Sequence, residues 1–280
     1  MSDIVRLDTV RLDTALVQRG LVRSRALARA AVEQGRVTVE GRAIVKPAHP
    51  VTEGAVVVVE GEDHYVSRAA HKLVAALDAS GIDPRGMLCL DLGASTGGFT
   101  QVLLERGAAR VIALDVGHGQ LASSLALDPR VVSVEGENAR ELTAERLTTI
   151  SGLAATPQLV VGDLSFIPLK LILPAIVATV GVGVPIILLV KPQFEVGRKG
   201  VREGVVRDPA LREDALTAVL WAAFDLGLFA ERVDSSPMVG TNGNHEYLIV
   251  FRPGQGEHPT QWRGRIAALA RAEPRQEASP

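Results

Sequence analysis

The stretch Met87-Leu-Cys-Leu-Asp91, followed by Leu-Gly-Ala-Ser-Thr-Gly-Gly-Phe99, constrains the fold more than any other part of the chain. A short apolar run ending in an acid reads as a buried strand, the glycines as a tight turn, and Phe99 to Arg106 as a helix. Strand, glycine turn and helix in succession open a parallel sheet covered by helices. In such sheets ligands lie beyond the carboxyl ends of the strands, where glycines let them approach backbone N–H groups.

The alternation continues. Strands are expected at 87–91, 110–115, 131–134, 158–163, 185–190, 229–234 and 246–252, with helices in most intervals. The predicted fold class is therefore α/β, a Rossmann-like and mainly parallel seven-stranded sheet whose last two strands form an antiparallel edge. With 47% hydrophobic and 22% charged residues the chain can bury a substantial core. Its one cysteine, Cys89, excludes a disulfide framework and reads as a buried small hydrophobe. Six scattered histidines have no metal-ligand spacing, so no metal is expected.

Leu171 to Val190 carries no charge and is long enough to cross a bilayer. Pro174, Gly181, Gly183 and Pro185 interrupt it, and Ile186-Ile-Leu-Leu-Val190 reads as a strand, so the expectation is a helix, a turn and a strand with no stable membrane association. The first residues, Met1-Ser-Asp-Ile-Val-Arg-Leu-Asp8, lack the apolar core of a signal peptide, which leaves the cytoplasm as the expected compartment.

The first sixty residues form a module of another kind. Leu12 to Arg19 and Arg25 to Gln34 have helical spacing, with Ser24 as a cap and Gly20 and Gly35 as stops. Short strands are expected at 36–40, 43–45 and 56–60. The organisation predicted is a small α+β domain over 1–60, a linker over 61–66, a large domain over 67–252 and a partly disordered tail over 253–280, with a short helix near 260–271. A net charge of −2 gives no global sign of nucleic acid, but Arg11, Arg19, Arg23, Arg25 and Arg29 crowd the module. Clustered arginines suit RNA or DNA phosphates; a solvated helix face is the competing reading.

The loop after Asp91 is neither G-x-G-x-x-G nor a Walker A sequence, which disfavours pyrophosphate-bearing ligands. Asp91 favours a cationic group instead. The next strand ends in Asp115, which can accept hydrogen bonds from two ribose hydroxyls. S-adenosylmethionine needs these features: glycine clearance, an acid near its amino acid end and an acid for its ribose. The expected cofactor contacts are Asp91, Gly93, Ala94, Ser95, Thr96, Gly97, Gly98, Phe99, Asp115 and Asp163, with Asn138 placed to read adenine. A nicotinamide enzyme is the rival reading, and Asp91 and Asp115 as plain strand-end caps the alternative to both.

Arginine is the default cation here; lysine appears only as Lys46, Lys72, Lys170, Lys191 and Lys199. A lysine can lose its proton at accessible cost when desolvated, and an arginine cannot. Lys191 and Asp163 each end a predicted strand, where open α/β sheets place their chemistry. With Lys72 and Glu246 they fit methylation of a ribose 2′-hydroxyl, Lys191 acting as base or hydroxyl-orienting group. Buried salt bridges are the competing reading for each residue taken singly.

Two resemblances bear on these readings. Arg11-Leu-Asp13, Leu16, Gly20-Leu21, Ser24-Arg25, Ala28, Gly35-Arg-Val37, Val39, Gly41 and Lys46-Pro47 resemble the RNA-binding domain named after ribosomal protein S-four. Val66-Ser-Arg-Ala-Ala-His-Lys-Leu73, Asp91 to Thr100, Ala113-Leu-Asp-Val-Gly117, Gly119-Gln-Leu-Ala122, Gly162-Asp-Leu-Ser-Phe-Ile167, Val190-Lys-Pro-Gln-Phe-Glu195 and Gly243-Asn-His-Glu-Tyr247 resemble the TlyA family. Those proteins are described both as haemolysin-like and as ribosomal RNA 2′-O-methyltransferases. The resemblance implies a class I, FtsJ/RrmJ-like methyltransferase domain with a Lys-Asp-Lys-Glu tetrad, which falls on Lys72, Asp163, Lys191 and Glu246. It further implies cytidine ribose in ribosomal RNA or ribosomal subunits as the target, with Lys46 and Arg68 joining the module's arginines on RNA. A pore-forming protein and a non-catalytic RNA-binding assembly factor are the alternatives.

Overall fold

The computed structural model describes residues 9–19, 21–22, 24–59, 64–197, 200–240 and 243–272. Contacts divide the chain into two units that separate between His64 and Tyr65.

In the first unit β1 (Thr9–Arg11) runs into α1 (Leu12–Gln18), followed by α2 (Arg25–Glu33), β2 (Val37–Val39), β3 (Arg42–Ala43), β4 (Pro50–Thr52) and β5 (Val57–Val59). Ser24 caps α2, its Oγ accepting from Leu27 N at 3.3 Å. Ala28, Ala31 and Val32 share one face of α2 and pack with Leu12 and Leu16 of α1 over Val37, Val39 and Val51. Glu40 and Gly41, both at positive φ, make the two-residue loop that returns β2 as β3. The antiparallel pair β1–β4 was not among the expected strands. Three residues at half a module's separation carry too short a period to be read.

The second unit runs α3 (Ala70–Ser80), β6 (Leu88–Leu92), α4 (Gly98–Glu105), β7 (Arg110–Asp115), α5 (Ser123–Ala126), β8 (Val131–Glu135), α6 (Ala144–Ser151), β9 (Leu159–Gly162), α7 (Leu173–Val180), β10 (Ile186–Val190), α8 (Pro192–Glu195), α9 (Pro209–Phe224), β11 (Ala230–Ser235), β12 (Tyr247–Phe251) and α10 (Arg263–Arg271). Its seven-stranded sheet has the order β11-β12-β10-β9-β6-β7-β8. Every neighbouring pair from β10 to β8 is parallel, and β12 is antiparallel to both β10 and β11. As expected, the last two strands pair antiparallel at one edge, with β12 the inner of the two: Tyr-Leu-Ile-Val-Phe is buried throughout, whereas Ala-Glu-Arg-Val-Asp-Ser buries only Ala230 and Val233 and takes the edge.

Successive residues of each strand feed two cores. Leu90, Ile112, Leu188 and Ile249 face one side, Cys89, Val111, Leu189 and Val250 the other. The uncharged run from Leu171 divides into α7 and β10, and no helix among the described residues is long and apolar enough to cross a membrane.

The short helix expected near 260–271 is present as α10, and it docks against the unit. Ile266, Leu269 and Ala270 of α10 are buried against the unit. Arg212, itself buried in α9, donates to Ala270 O at 3.0 and 2.6 Å and to the carbonyls of Val206 and Arg207 at 3.2 and 3.1 Å. A charged, short segment looks like a tail in sequence because its partners, the core around Ile266 and Leu269 and the Arg212 guanidinium, lie far away in the chain. Residues 273–280 lie outside the described residues.

Candidate active site

The strand order reverses between β6 and β9, and the crevice at their carboxyl ends is where this architecture receives ligands. Gly93 takes φ +78, and a Cβ there would lie 3.2 Å from the carbonyl oxygen of Asp163, so the two strand-end loops approach as closely as glycine allows. Gly97, at φ +98, is the N-cap of α4; any side chain there would collide with Leu125.

Asp91 is fully buried at the end of β6. Its Oδ2 accepts from Thr100 Oγ1 at 2.7 Å, while Oδ1 has no hydrogen-bond partner among the described residues. Burial pushes its carboxyl up to about 7; Thr100 opposes the shift, and the nearby Asp163 and Asp115 add to it. An orphaned carboxylate oxygen beside a glycine cradle fits the ammonium of an amino acid. Asp115 ends β7 with Oδ2 accepting from Ser95 N and Oδ1 from Gly117 N, both at 2.8 Å, so its orientation is fixed by backbone. A small cavity here is lined by Ala94, Ser95, Asp115, Gly117, Gln120 and Glu135. Ser95 Oγ donates to Gln120 Oε1 at 3.2 Å, which makes Gln120 part of this wall. Sequence reasoning singled out its motif but not this residue.

Two of the expected contacts also have places in the fold itself. The Phe99 ring is buried among Val102, Leu103 and the rest of the core on that face, leaving only its backbone at the loop. Asn138 is exposed, and its side-chain oxygen accepts from Arg140 N at 3.1 Å to cap a short 3₁₀ turn. Its neighbour Glu137 is tied to Asp115 O at 3.2 Å, so it stays at the Asp115 end of the crevice.

The four residues of the expected tetrad come together from four elements. Lys72 lies in the first turn of α3, Asp163 follows β9, Lys191 follows β10, and Glu246 precedes β12. Lys72 Nζ is 2.7 Å from Glu246 Oε2 and 3.3 Å from Asp163 Oδ2; Lys191 Nζ is 2.7 Å from Asp163 Oδ1. Charges therefore alternate along Glu246–Lys72–Asp163–Lys191, all at most 13% exposed at the side chain. Removing an ion from water costs several kcal/mol, and alternation is what offsets it here. Burial works against the Lys72 ammonium, but Asp163 and Glu246 outweigh it and raise its pKa above the ordinary lysine value. Lys191 contacts Asp163 by charge and donates its aligned hydrogen bond to Ser165 Oγ at 2.7 Å.

Ser165 and Phe166, beside Lys191, were not among the expected site residues. Phe166 has φ +65 and is 90% exposed, its ring 5.1 Å from that of Phe194, while Lys191 Nζ stands 6.0 Å from the Phe194 ring. The available signal was scarcity: aromatics are 4% of the chain, and one directly follows Asp163-Leu-Ser. Glu195 Oε1 accepts from Leu169 N at 2.8 Å and anchors the far end of this loop; burial pushes its carboxyl up to about 7.

In the first unit Arg11, Arg25 and Arg29 gather around Asp13, and Lys46 is exposed. Arg19 does not join them. Its guanidinium donates to the carbonyls of Ala55, Thr52 and Glu53 at 2.6, 2.8 and 2.9 Å and so holds the loop before β5. Arg23 lies outside the described residues. Arg68, in the second unit, is exposed in the turn before α3.

Sheet order, glycine loop and buried alternating charges define an FtsJ-like methyltransferase, and the family model of that description matches residues 65–253. A model of the S4 domain matches residues 10–57. Over 239 residues, 84% of this chain and 87% of the relative, the sequence is 50% identical to the 16S/23S rRNA (cytidine-2′-O)-methyltransferase TlyA of Mycobacterium tuberculosis. The chain belongs to the TlyA family. It is also 39% identical to Hemolysin A of Brachyspira hyodysenteriae, over 83% of this chain and 95% of that one. A solved structure from Streptococcus thermophilus that carries a hemolysin name aligns with a TM-score of 0.70 at 36% identity, covering 94% of this chain and 96% of that one.

Proposed function

We propose that this protein methylates the ribose 2′-hydroxyl of a cytidine in ribosomal RNA, in the cytoplasm, with S-adenosylmethionine as donor. The observation that carries the reading is the placement of Lys191 Nζ, fixed by Asp163 and Ser165 at the sheet edge beside the Asp91 loop.

S-adenosylmethionine, when bound, supplies an electrophilic methyl group on a sulfonium sulfur. Asp91 would accept from its amino group and Asp115 from its ribose hydroxyls, with Gly93 and Gly97 leaving room for it. The acceptor is an alcohol of high pKa, so orientation and proton removal are the tasks left to the chain. Lys191 Nζ meets the 2′-oxygen: protonated, it donates to that oxygen and aims it; neutral, it takes the hydroxyl proton as the oxygen attacks. Asp163 Oδ1 holds Nζ in place. Lys72 satisfies Asp163 Oδ2, and Glu246 in turn satisfies Lys72, so the residue nearest the acceptor is held by a chain of ion pairs. The N-terminal unit supplies RNA affinity through its arginines.

The test is transfer of labelled methyl to ribosomal RNA and to assembled subunits, followed by mass-spectrometric mapping of ribose methylation. A methylated base in place of a ribose, or no transfer to any RNA, overturns the reading.

A further inference from the structure

Three arginines of the N-terminal unit converge on one carboxylate. Asp13, in the first turn of α1, has no exposed surface. Arg11 grips it twice, Nε donating to Oδ1 at 3.0 Å and Nη2 to Oδ2 at 2.8 Å. Arg29 Nε donates to Oδ2 at 3.3 Å, and Arg25 Nη2 stands 3.6 Å from the same oxygen. The three side chains nonetheless keep 46%, 57% and 58% of their surface in solvent for Arg11, Arg29 and Arg25. The anchor is itself tied down: Asp13 N donates to Pro47 O at 3.0 Å, and Thr14 Oγ1 to Asp13 Oδ1 at 3.3 Å. The first of these bonds brings the segment of Lys46 to the margin of the cluster.

A merely solvated basic face has no use for a buried acid at its centre. By charge alone Asp13 weakens the attraction of this surface for a polyanion. What it supplies is geometry. A planar guanidinium that spends its inner N–H groups on a carboxylate still presents outer N–H groups, in a fixed direction, to a second oxyanion. Long side chains held in advance also have less rotamer freedom to lose on binding.

We propose that Asp13 is a positioning residue that preorganises Arg11, Arg25 and Arg29 as a receptor for a backbone phosphate of the RNA substrate, which rests on the function proposed above. Diffuse electrostatics and positioning predict opposite signs for one substitution. Asp13→Asn removes a negative charge, so a diffuse field would bind RNA more tightly; loss of positioning weakens binding.

The experiment uses the full chain, a ribosomal RNA transcript, and anisotropy titrations across a salt series. Asp13→Asn is expected to bind about tenfold more weakly, with a salt slope shallower by about 1. KM for RNA should rise while kcat at saturating RNA and S-adenosylmethionine affinity stay at the wild-type level. Equal or tighter RNA binding by this variant overturns the proposal. If melting shows that Asp13→Asn unfolds the N-terminal unit, the double variant Arg11→Lys, Arg29→Lys decides, since it keeps every charge and the buried acid. It is expected to bind about fivefold more weakly, because an ammonium cannot reproduce the fork; wild-type affinity overturns the proposal. A wild-type chain that neither binds nor methylates ribosomal RNA fails the function itself, whereas active wild type with undiminished variants removes only the role of Asp13.

Discussion

Glu246 Oε2 lies 2.7 Å from Lys72 Nζ, joining the turn into an antiparallel strand to the first turn of the helix that precedes the whole sheet. Both groups are buried, and Lys72 is the link through which Glu246 acts on Asp163 and Lys191. Glu246→Gln leaves the ammonium short of a counter-charge and should lower stability by about 3 kcal/mol, the scale of breaking one partner of a buried pair. Because Asp163 and Glu246 together outweigh burial and raise the Lys72 pKa above its ordinary 10.5, their stabilisation is complete below that value and is lost as pH rises through the higher folded one. Alkaline melts should show wild type surviving to higher pH than the variant; coincident curves would mean the pair is silent.

Lys191→Ala should reduce methyl transfer by roughly two to four orders of magnitude, the range for losing a positioned proton-transfer group. S-adenosylmethionine affinity should change little, since Lys191 is not among the proposed donor contacts. Single-turnover assays with calorimetric binding separate the two, and full activity in the variant would remove Lys191 from its proposed role.

Donor affinity should rise with pH. A carboxyl held near 7 is largely protonated at pH 6 and largely ionised at pH 8, so pairing with an ammonium favours the higher pH by about tenfold. Asp91→Asn should bind more weakly and without this pH dependence. Stability runs the other way: with folded values near 7 against ordinary values of 3.8 and 4.5, Asp91 and Glu195 favour the folded state most at low pH and lose that contribution as pH rises to about 7. Calorimetry at pH 6 and 8 on wild type and variant checks the first claim; a pH-independent wild-type affinity contradicts it.

Phe166 combines a left-handed backbone, which strains the free protein, with a ring left exposed. Phe166→Gly should therefore raise stability by about 0.5–1 kcal/mol while lowering kcat/KM for RNA by about tenfold, the value of one base-stacking contact. Gains in both would show that the ring does not meet RNA.

Truncation after Arg252 should unfold the methyltransferase unit at physiological temperature instead of trimming a tail. It removes α10 with its buried Ile266 and Leu269 and strips the Ala270 carbonyl from buried Arg212. Circular dichroism of the truncated chain is the measurement, and a cooperative melt near that of wild type would contradict it.

Much of the fold was legible because its signals are local. Glycines at 93, 97 and 98, the apolar runs of β6, β7, β9 and β10, and the serine before α2 each state their conformation within a few residues. Motif order also pointed to Lys72, Asp163, Lys191 and Glu246, although spacing alone left each as a plausible salt bridge. What could not be read is non-local. The insertion of β12 between β10 and β11, the use of Arg19 on three carbonyls, the burial of Phe99 and the docking of α10 under Arg212 all depend on partners far away in sequence.

The sequence by itself determined a glycine-loop α/β domain that follows a small arginine-bearing module in the chain, because backbone conformation and hydrophobic period are properties of neighbours. Only the tertiary structure decided which charges meet. Asp163 between two lysines, and Asp13 beneath three arginines, are contacts across elements, and their energies depend on a shared burial that no single segment contains.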